Sequence, residues 1–282
     1  MSTKYLPLFC TLLSIIISST KATAQYYYKD IWNPQQLSKE MSVLKNQNIR
    51  TISVKSFEAN GEPSENFFCE KKIDKNYTLS ETITRSDVTS QSLLSSHFNS
   101  KGLITNTIDS SETSISRTEY LYDDKDRIKS VRLFTKAGND AAGIEELDNY
   151  EYNENGALQK MIRLKNDIEY STVNFKVDEN GNVTEENEIL KTGPGTKYFY
   201  YYDDKNHLTD VVHFNERAKR LLPDYMYEYN QRGQITQMIT TEEGGGNYLI
   251  WKYTYNDQNL RDTERCLSKD KRLLGSIQYM YK

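Results

Sequence analysis

The sequence predicts an all-β protein of serial antiparallel β-hairpins, which form a curved or coiled meander sheet with a short N-terminal helix as cap. Three observations carry this prediction. Aromatic pairs of the type Tyr-x-Tyr recur with a period of about 26 residues, a turn motif follows each pair, and an aliphatic strand follows each turn. Self-similarity at a fixed period of this size is typical of repeat architectures in which each repeat is one supersecondary unit.

The second aromatic residue of each pair serves as an anchor for aligning the repeats. The last four anchors, Tyr202, Tyr229, Tyr255 and Tyr281, follow one another after 27, 26 and 26 residues. Because side chains of a strand alternate between its faces, both rings of a Tyr-x-Tyr pair lie on one face. The remaining anchors, some of them not Tyr, are Ile73, Phe98, Tyr122, Tyr152 and Val177.

A turn motif directly follows the seven anchors from Phe98 to Tyr255. Asp or Asn comes first, and Gly, Asn or Asp stands three residues later. This is the signature of a type I turn, in which the Asx side chain bonds the backbone two residues on. Gly, Asn and Asp also tolerate the positive φ that closes such a hairpin. The structural repeat turns predicted in this way include Asn153, Gly156, Asp178, Gly181, Asp203, Asn230 and Gly233.

Aliphatic residues after each turn recur at even distances from the anchor, as in Leu158, Ile162 and Leu164. This alternation predicts that all three share the inner face with the tyrosines. Each period is then one hairpin, and the chain forms a meander of roughly 16 to 18 strands. Large sheets twist and curl, with the aromatic face expected inward. The sequence leaves open whether the sheet is an open coil or a closed shell.

The N-terminus is typical of a signal peptide, predicted to cover residues 1–24. Lys4 gives a positive start, residues 8–17 are apolar, and Ala22 and Ala24 form a small-x-small cleavage site before Gln25. The apolar run is shorter than the roughly 20 residues of a membrane span. An uncleaved anchor is the alternative. Cleavage predicts an exported protein that is periplasmic, on the cell surface or secreted, with no membrane span after signal cleavage.

Residues 25–64 are predicted to form an N-terminal cap, with a helix at about 33–47 followed by the first strands. Asn33 can cap this helix, and Pro34 suits its first position. Leu37, Met41 and Leu44 fall on one stripe. Repeat arrays need atypical ends that cover their open faces; the alternative is a helix that docks a partner. Residues 65–282 are predicted to form the β-hairpin repeat domain.

Composition argues against several classes of function. Removing residues 1–24 takes away Lys4 and Lys21 and changes the formal net charge from −4 to −6. Nucleic-acid binding, which needs a basic surface, is therefore not expected. Residues 127–136 carry Lys or Arg on both strand faces, which disfavours a transmembrane β-barrel. Cys69 and Cys266 lie near opposite ends of the mature chain, and whether they pair is left open.

No pattern predicts catalysis, a metal or a cofactor. The three histidines have no Cys or acid at metal-ligand spacing. Residues 178–182 contain alternating oxygen ligands but lack the glycine and distal Glu of a calcium loop. Neither a phosphate-binding loop nor a nucleophile elbow is present. We therefore expect a protein that is not an enzyme.

The repeat resembles the YD-repeat, or rearrangement-hotspot (RHS), family over about residues 65–282. The hallmark Tyr-Asp dipeptide reads Tyr122-Asp123 and Tyr202-Asp203, with near matches such as Tyr152-Asn153. The resemblance implies an exported bacterial repeat protein of structural or binding type. Larger relatives enclose a C-terminal toxin in a β-sheet cage; no segment of this chain matches the region before such a toxin. The chain resembles a short stand-alone member without a toxin domain.

The candidate binding surface consists of Phe199 and Tyr201, which alternate with Tyr198, Tyr200 and Tyr202 and so face outward. Exposed aromatic residues can hold a protein or stack on a sugar. The expected function is a non-enzymatic structural scaffold or protein-binding surface at the bacterial cell envelope. The alternatives are a carbohydrate-binding module that uses these aromatics, or a partner protein of a toxin or secretion system. Expected partners are a protein or glycan at the cell surface.

Overall fold

The computed structural model describes residues 25–282, except for residue 88 and residues 139–142, 216–218 and 242–245. The predicted signal peptide lies outside the described residues. The described chain begins with a π-helical stretch, Tyr27–Trp32, that leads into helix α1, Asn33–Asn46. The described strands are β1 Thr51–Glu58, β2 Phe68–Ile73, β3 Leu79–Arg85, β4 Ser92–Phe98, β5 Ile104–Ser110, β6 Ser114–Tyr122, β7 Ile128–Ala137, β8 Ile144–Tyr152, β9 Leu158–Lys165, β10 Ile168–Val177, β11 Val183–Leu190, β12 Gly193–Tyr202, β13 Leu208–Asn215, β14 Arg220–Tyr229, β15 Ile235–Thr241, β16 Tyr248–Tyr255, β17 Arg261–Ser268 and β18 Leu273–Tyr281.

The strands form one antiparallel sheet that closes on itself. Each strand pairs with the next one along the chain, and β18 pairs with β1 from Ile52 opposite Tyr281 to Glu58 opposite Gly275. The all-β fold of serial hairpins is therefore confirmed, but the predicted curved or coiled meander is wrong: the sheet is a closed barrel. Closure pairs the backbone groups that an open coil would leave exposed on its two edge strands.

The π-helical stretch packs into the barrel interior, and α1 packs against residues near the rim that carries the repeat turns. The hydroxyl of Tyr28 contacts that of Tyr227 on β14 at 2.5 Å, while Ser38 Oγ accepts a hydrogen bond from the backbone N–H of Ile104 on β5 at 3.2 Å. Tyr26, Tyr28 and Ile31 are buried in the core inside the barrel, whereas α1 keeps one face exposed, with Val43 39% exposed. The predicted helix at 33–47 is present as α1, and its role as a cap stays a prediction. Among the described residues, no helix has the length and apolar character of a membrane span.

A one-residue register shift beside seven of the nine anchors, those from Phe98 to Tyr255, decides which side chains face inward. In the β8–β9 hairpin, Tyr152 pairs with Leu158, whereas Tyr150 pairs with Met161 after a bulge. Met161 and Arg163 are therefore buried inside, and the predicted inner positions Ile162 and Leu164 face outward. A bulge adds one residue to one strand, and a shift of one residue moves every later side chain to the other face.

The anchor tyrosines tie each hairpin to an earlier one. Tyr229 Oη donates to the carbonyl of Leu208 at 2.6 Å, and Tyr202 Oη donates to the carbonyl of Val183 at 2.8 Å. In each case the acceptor is the first aliphatic residue after a turn. The same bond recurs at Tyr122, Tyr152, Tyr255 and Tyr281. The recurring tyrosine is thus a structural part of the repeat.

We expect Tyr229→Phe to lower the free energy of unfolding by about 1 kcal/mol, because it removes this hydrogen bond and keeps the ring. Urea unfolding measures the change. Tyr201→Phe is the matched control, since Tyr201 is 49% exposed on the outer face. Equal losses in the two variants would contradict a structural role for the Tyr229 hydroxyl.

Candidate functional site

The predicted repeat turns all lie at one rim of the barrel. The N–H of Gly156 donates to the carbonyl of Asn153 at 2.8 Å, and the N–H of Asn153 donates to the carbonyl of Ala157 at 2.9 Å. Gly156 has a φ of +84°, which explains why this position favours Gly, Asn or Asp. Equivalent bonds occur at Asp178–Gly181, Asp203–Asn206 and Asn230–Gly233.

The turn carboxylates accept hydrogen bonds from the backbone N–H groups of their own turns. Asp178 Oδ1 accepts from the N–H groups of Asn180 and Asn182 at 2.9 and 2.8 Å, and its Oδ2 accepts from the Asn182 side chain at 3.0 Å. Against the effect of burial, these bonds lower the pKa of Asp178. Within the described part of the chain, no group of three or more His, Cys, Asp or Glu residues could hold a metal ion.

The predicted surface residues Phe199 and Tyr201 lie on the outer face of β12. Phe199 pairs with Val212 on β13, and Tyr201 pairs with Asp210, which in turn pairs with Met226 on β14. Tyr201 and Met226 are 49% and 37% exposed. Together the apolar side chains of these strands form an outer patch, defined as Phe199, Tyr201, Val212, Phe214, Leu221 and Met226.

A charged border flanks the outer patch on the side of β11. Glu185 binds Lys197 and Lys176 through its two carboxylate oxygens, at 2.8 and 2.9 Å. The ammonium group of Lys197 also lies 5.1 Å from the centroid of the Phe199 ring. This cation contacts the Phe199 π system, and Tyr201 is the more exposed aromatic residue of the patch.

A second site, which is polar and which the sequence did not predict, lies inside the barrel. We call it the lumenal acid cluster and define it as Asp30, Glu146, Asp148, Arg163, Glu186 and Glu188. Arg163 is 5% exposed and binds three carboxylates: Asp148 at 2.9 Å and Glu188 and Glu146 at 3.3 Å. Its guanidinium also lies 3.9 Å from the centroid of the Tyr26 ring.

Glu186 holds the start of the helical segment. This side chain is fully buried, and its oxygens accept from the backbone N–H groups of Tyr26 at 3.1 Å and Tyr27 at 2.9 Å. Tyr200 Oη donates to the same carboxylate at 2.8 Å. A carboxylate at a helix N-terminus satisfies N–H groups that have no partner within the helix and interacts favourably with the helix dipole.

Carboxylates outnumber the single guanidinium of the lumenal acid cluster. Burial raises the pKa of Asp148 to about 7, although Arg163 opposes the rise. Burial likewise raises the pKa of Glu186 to about 7 against the hydrogen bonds from Tyr27 and Tyr26, and it raises the pKa of Asp30, to which Tyr150 Oη donates at 2.7 Å. These acids therefore carry protons over a pH range in which exposed carboxyls are ionised.

Two histidines pair with nearby aspartates. His207 Nδ1 is 2.9 Å from Asp203 Oδ2 within a repeat turn, and His213 Nδ1 is 3.0 Å from Asp224 Oδ2 inside the barrel. The hydrogen bond with Asp224 raises the pKa of His213. The two cysteines are buried and do not pair: Cys69 packs in a cluster with Ile52 and Val54, whereas Cys266 packs elsewhere, beside Trp251.

Comparisons with known proteins give structural neighbours only. No family model and no curated protein match the chain. A crystal structure of a porin-like protein from Bacteroides uniformis aligns with 83% of this chain and 98% of its own at 10% identity, with a TM-score of 0.38. The Tc holotoxin pore with TccC3 of Photorhabdus luminescens and a TcdB2–TccC3 crystal structure align with 77% and 80% of this chain at 9% identity, each with a TM-score of 0.31. The chain spans 16% and 19% of those two toxin chains.

Proposed function

We propose that this chain is an exported, non-enzymatic barrel of the YD-repeat type that acts as a scaffold at the bacterial cell envelope and binds a protein partner through the outer patch. The observation that carries the proposal is the presence of the exposed apolar side chains Tyr201, Leu221 and Met226 on the outer face of β12–β14. Exposed apolar side chains grouped on one face mark interaction sites, and Tyr and Met are enriched in protein interfaces.

The barrel gives this patch a fixed shape. The strands that carry it have their opposite face packed in the core, where Tyr198, Tyr200 and Val211 are almost completely buried. The interior is occupied by the chain's own residues around the helical segment. The outer face and the rims therefore offer the larger accessible surfaces to a partner.

The composition of the outer patch favours a protein over a glycan. Sugar recognition by stacking needs an accessible aromatic face, but the Lys197 ammonium lies over the ring of Phe199. Two exposed residues of the patch, Leu221 and Met226, have aliphatic or thioether side chains. Such side chains bury well against another protein and give little hydrogen bonding to a sugar.

The test is site-specific photo-crosslinking in the producing bacterium. A photoreactive amino acid at position 201 should give a discrete protein adduct, whereas one at position 121 should not. Leu121 is the matched control because it is 62% exposed on the outer face of β6, away from the patch. Equal labelling at both positions would overturn the proposal.

For the partner found in this way, we expect the double substitution Tyr201→Ala and Met226→Ala to weaken binding about 30-fold or more, the effect of losing a hot-spot side chain. Leu121→Ala should leave the Kd within about twofold of the wild-type value. Calorimetry measures both affinities. A glycan array with the same variants covers the carbohydrate alternative: loss of a glycan signal with unchanged protein binding would favour it.

A further inference from the structure

The segment that enters the barrel begins at Gln25. Its carbonyl accepts a hydrogen bond from the N–H of Lys29 at 2.9 Å, so Gln25 takes part in the first helical turn. The residue is 7% exposed, and its Nε2 donates to Asp224 Oδ2 at 3.0 Å. Gln25 is thus a docked residue, and the next two N–H groups along the chain bind Glu186.

This docked residue coincides with the predicted cleavage site. The small-x-small motif ends at Ala24, and cleavage there makes Gln25 the first residue of the mature chain. Water hydrolyses the Ala24–Gln25 peptide bond, which leaves a carboxylate on Ala24 and an amine on Gln25 that takes up a proton. The sequence motif and the docking contacts are independent observations, and both point to Gln25.

Covalent geometry places the new charge within about 7 Å of Glu186. Consecutive backbone nitrogens lie less than about 4 Å apart. Because the Tyr26 nitrogen is 3.1 Å from Glu186 Oε1, the nitrogen of Gln25 lies within about 7 Å of that carboxylate. Asp224 approaches the same residue from β14. An ammonium group here would offset part of the excess negative charge of the lumenal acid cluster.

We infer that the barrel interior contains a binding site for a primary ammonium group, the processed N-terminus of this same chain, with Glu186 as its main counter-ion and Asp224 beside it. Cleavage thereby completes the docking of residues 25–32. The inference rests on the predicted cleavage before Gln25 and is independent of the outer patch. Other charged groups around the site are Glu188 on β11, Arg163 on β9, His213 on β13, and Asp30 and Lys29 on the segment itself.

The experiment compares two chains, one that begins at Gln25 and one that begins three residues earlier, at Ala22. Intact mass identifies molecules that retain the amine, because an N-terminal Gln that cyclises loses ammonia. Burial and the positive end of the helix dipole lower the pKa of this amine, whereas the carboxylates of Glu186 and Asp224 raise it. In the folded chain that begins at Gln25, we expect the carboxylates to prevail and the α-amine to titrate above its ordinary value of about 7.7–8.0. We expect acylation of this amine at pH 7 to be at least tenfold slower than in urea.

Glu186→Gln provides the coupling test in both chains. It should lower the Tm by more in the chain that begins at Gln25 than in the chain that begins at Ala22. Glu185→Gln is the matched control, because Glu185 is the preceding residue of β11 and binds Lys176 and Lys197 on the outer face. An α-amine with an ordinary titration and acylation rate, or equal Tm losses from Glu186→Gln in the two chains, would overturn the inference.

Discussion

Arg163→Met is expected to lower the free energy of unfolding by about 3–5 kcal/mol, the usual cost of removing one partner of a buried ion pair. Arg163 is almost completely buried, and it is the cation that contacts Asp148 and Glu188 directly. Its removal leaves Glu188 without its cation and Asp148 without its charged hydrogen-bond donor inside the barrel. Thermal unfolding should show a fall in Tm of roughly 6 °C or more.

Arg132→Met is the matched control for this prediction. Arg132 binds Glu145 on the outer face of β7, and the two side chains are 46% and 37% exposed. An exposed pair of this kind is worth less than about 1 kcal/mol. Arg163→Lys should give an intermediate loss, because an ammonium group keeps the charge but lacks the planar fork that reaches three carboxylates. Equal losses from Arg163→Met and Arg132→Met would contradict the assignment.

The local parts of the fold could be predicted from sequence because their causes are local. An Asx residue bonds its own turn, and a residue with positive φ closes it, so a motif such as Asn153 to Gly156 specifies a hairpin by itself. Helix α1 was predictable for the same reason: Pro34 and the stripe of Met41 and Leu44 lie within one segment.

The prediction of which β9 side chains face inward was wrong, because the sequence of a single repeat does not show where the bulge lies. In β9 both Ile162 and Met161 are apolar, so hydrophobicity does not show which of them follows the bulge. The polar residue Arg163 would have argued for the outer face under simple alternation. A comparison across repeats shows that this column is mixed: Glu186 and Glu264 occupy the same position as Met161, Val131 and Val211, and all five are buried.

Closure and the lumenal acid cluster depend on contacts between distant parts of the chain. The pairing of β1 with β18 joins the two ends of the described chain, and no local motif encodes it. Arg261 stands where the other repeats carry an aliphatic residue after the turn. Its contacts inside the barrel explain this exception. Its Nη1 binds Glu264 Oε1 at 2.6 Å, and its guanidinium lies 4.5 Å from the centroid of the Tyr253 ring. Charged residues in an otherwise apolar column can thus indicate a buried ion pair.

In a chain without an α-ammonium at Gln25, such as the one that begins at Ala22, the stability of the barrel should fall as the pH rises from 5 to 8. The pKa values of Asp148 and Glu186 are about 7 in the folded protein, whereas unfolded carboxyls titrate near 4. Between these values the folded state holds more protons than the unfolded state, so raising the pH favours unfolding. His213 acts in the same direction: its raised pKa stabilises the fold below about pH 6.5, and that contribution disappears as the pH rises through the folded value.

The turn carboxylates act in the opposite direction, but in a lower pH range. Hydrogen bonds lower the pKa values of Asp178 and Asp203 in the fold, so their contribution is present above about pH 4 and is lost as the pH falls below it. The two effects together predict maximum stability near pH 4–5. Because a shift of one pKa unit corresponds to about 1.4 kcal/mol, and the lumenal acids share one cluster, we expect a total loss on the order of 3 kcal/mol between pH 5 and pH 8.

Glu186→Gln identifies the origin of this pH dependence. The substitution removes one titrating group, while its side-chain oxygen can still accept a hydrogen bond from the start of the helical segment. In the chain that begins at Ala22, the difference in Tm between pH 5 and pH 8 should therefore shrink, whatever the variant's stability at a single pH. Asp210→Asn, on the outer face of β13, should keep the wild-type difference. A wild-type Tm that rises from pH 5 to pH 8, or an unchanged difference in Glu186→Gln, would show that the buried carboxyls do not control the stability of the barrel.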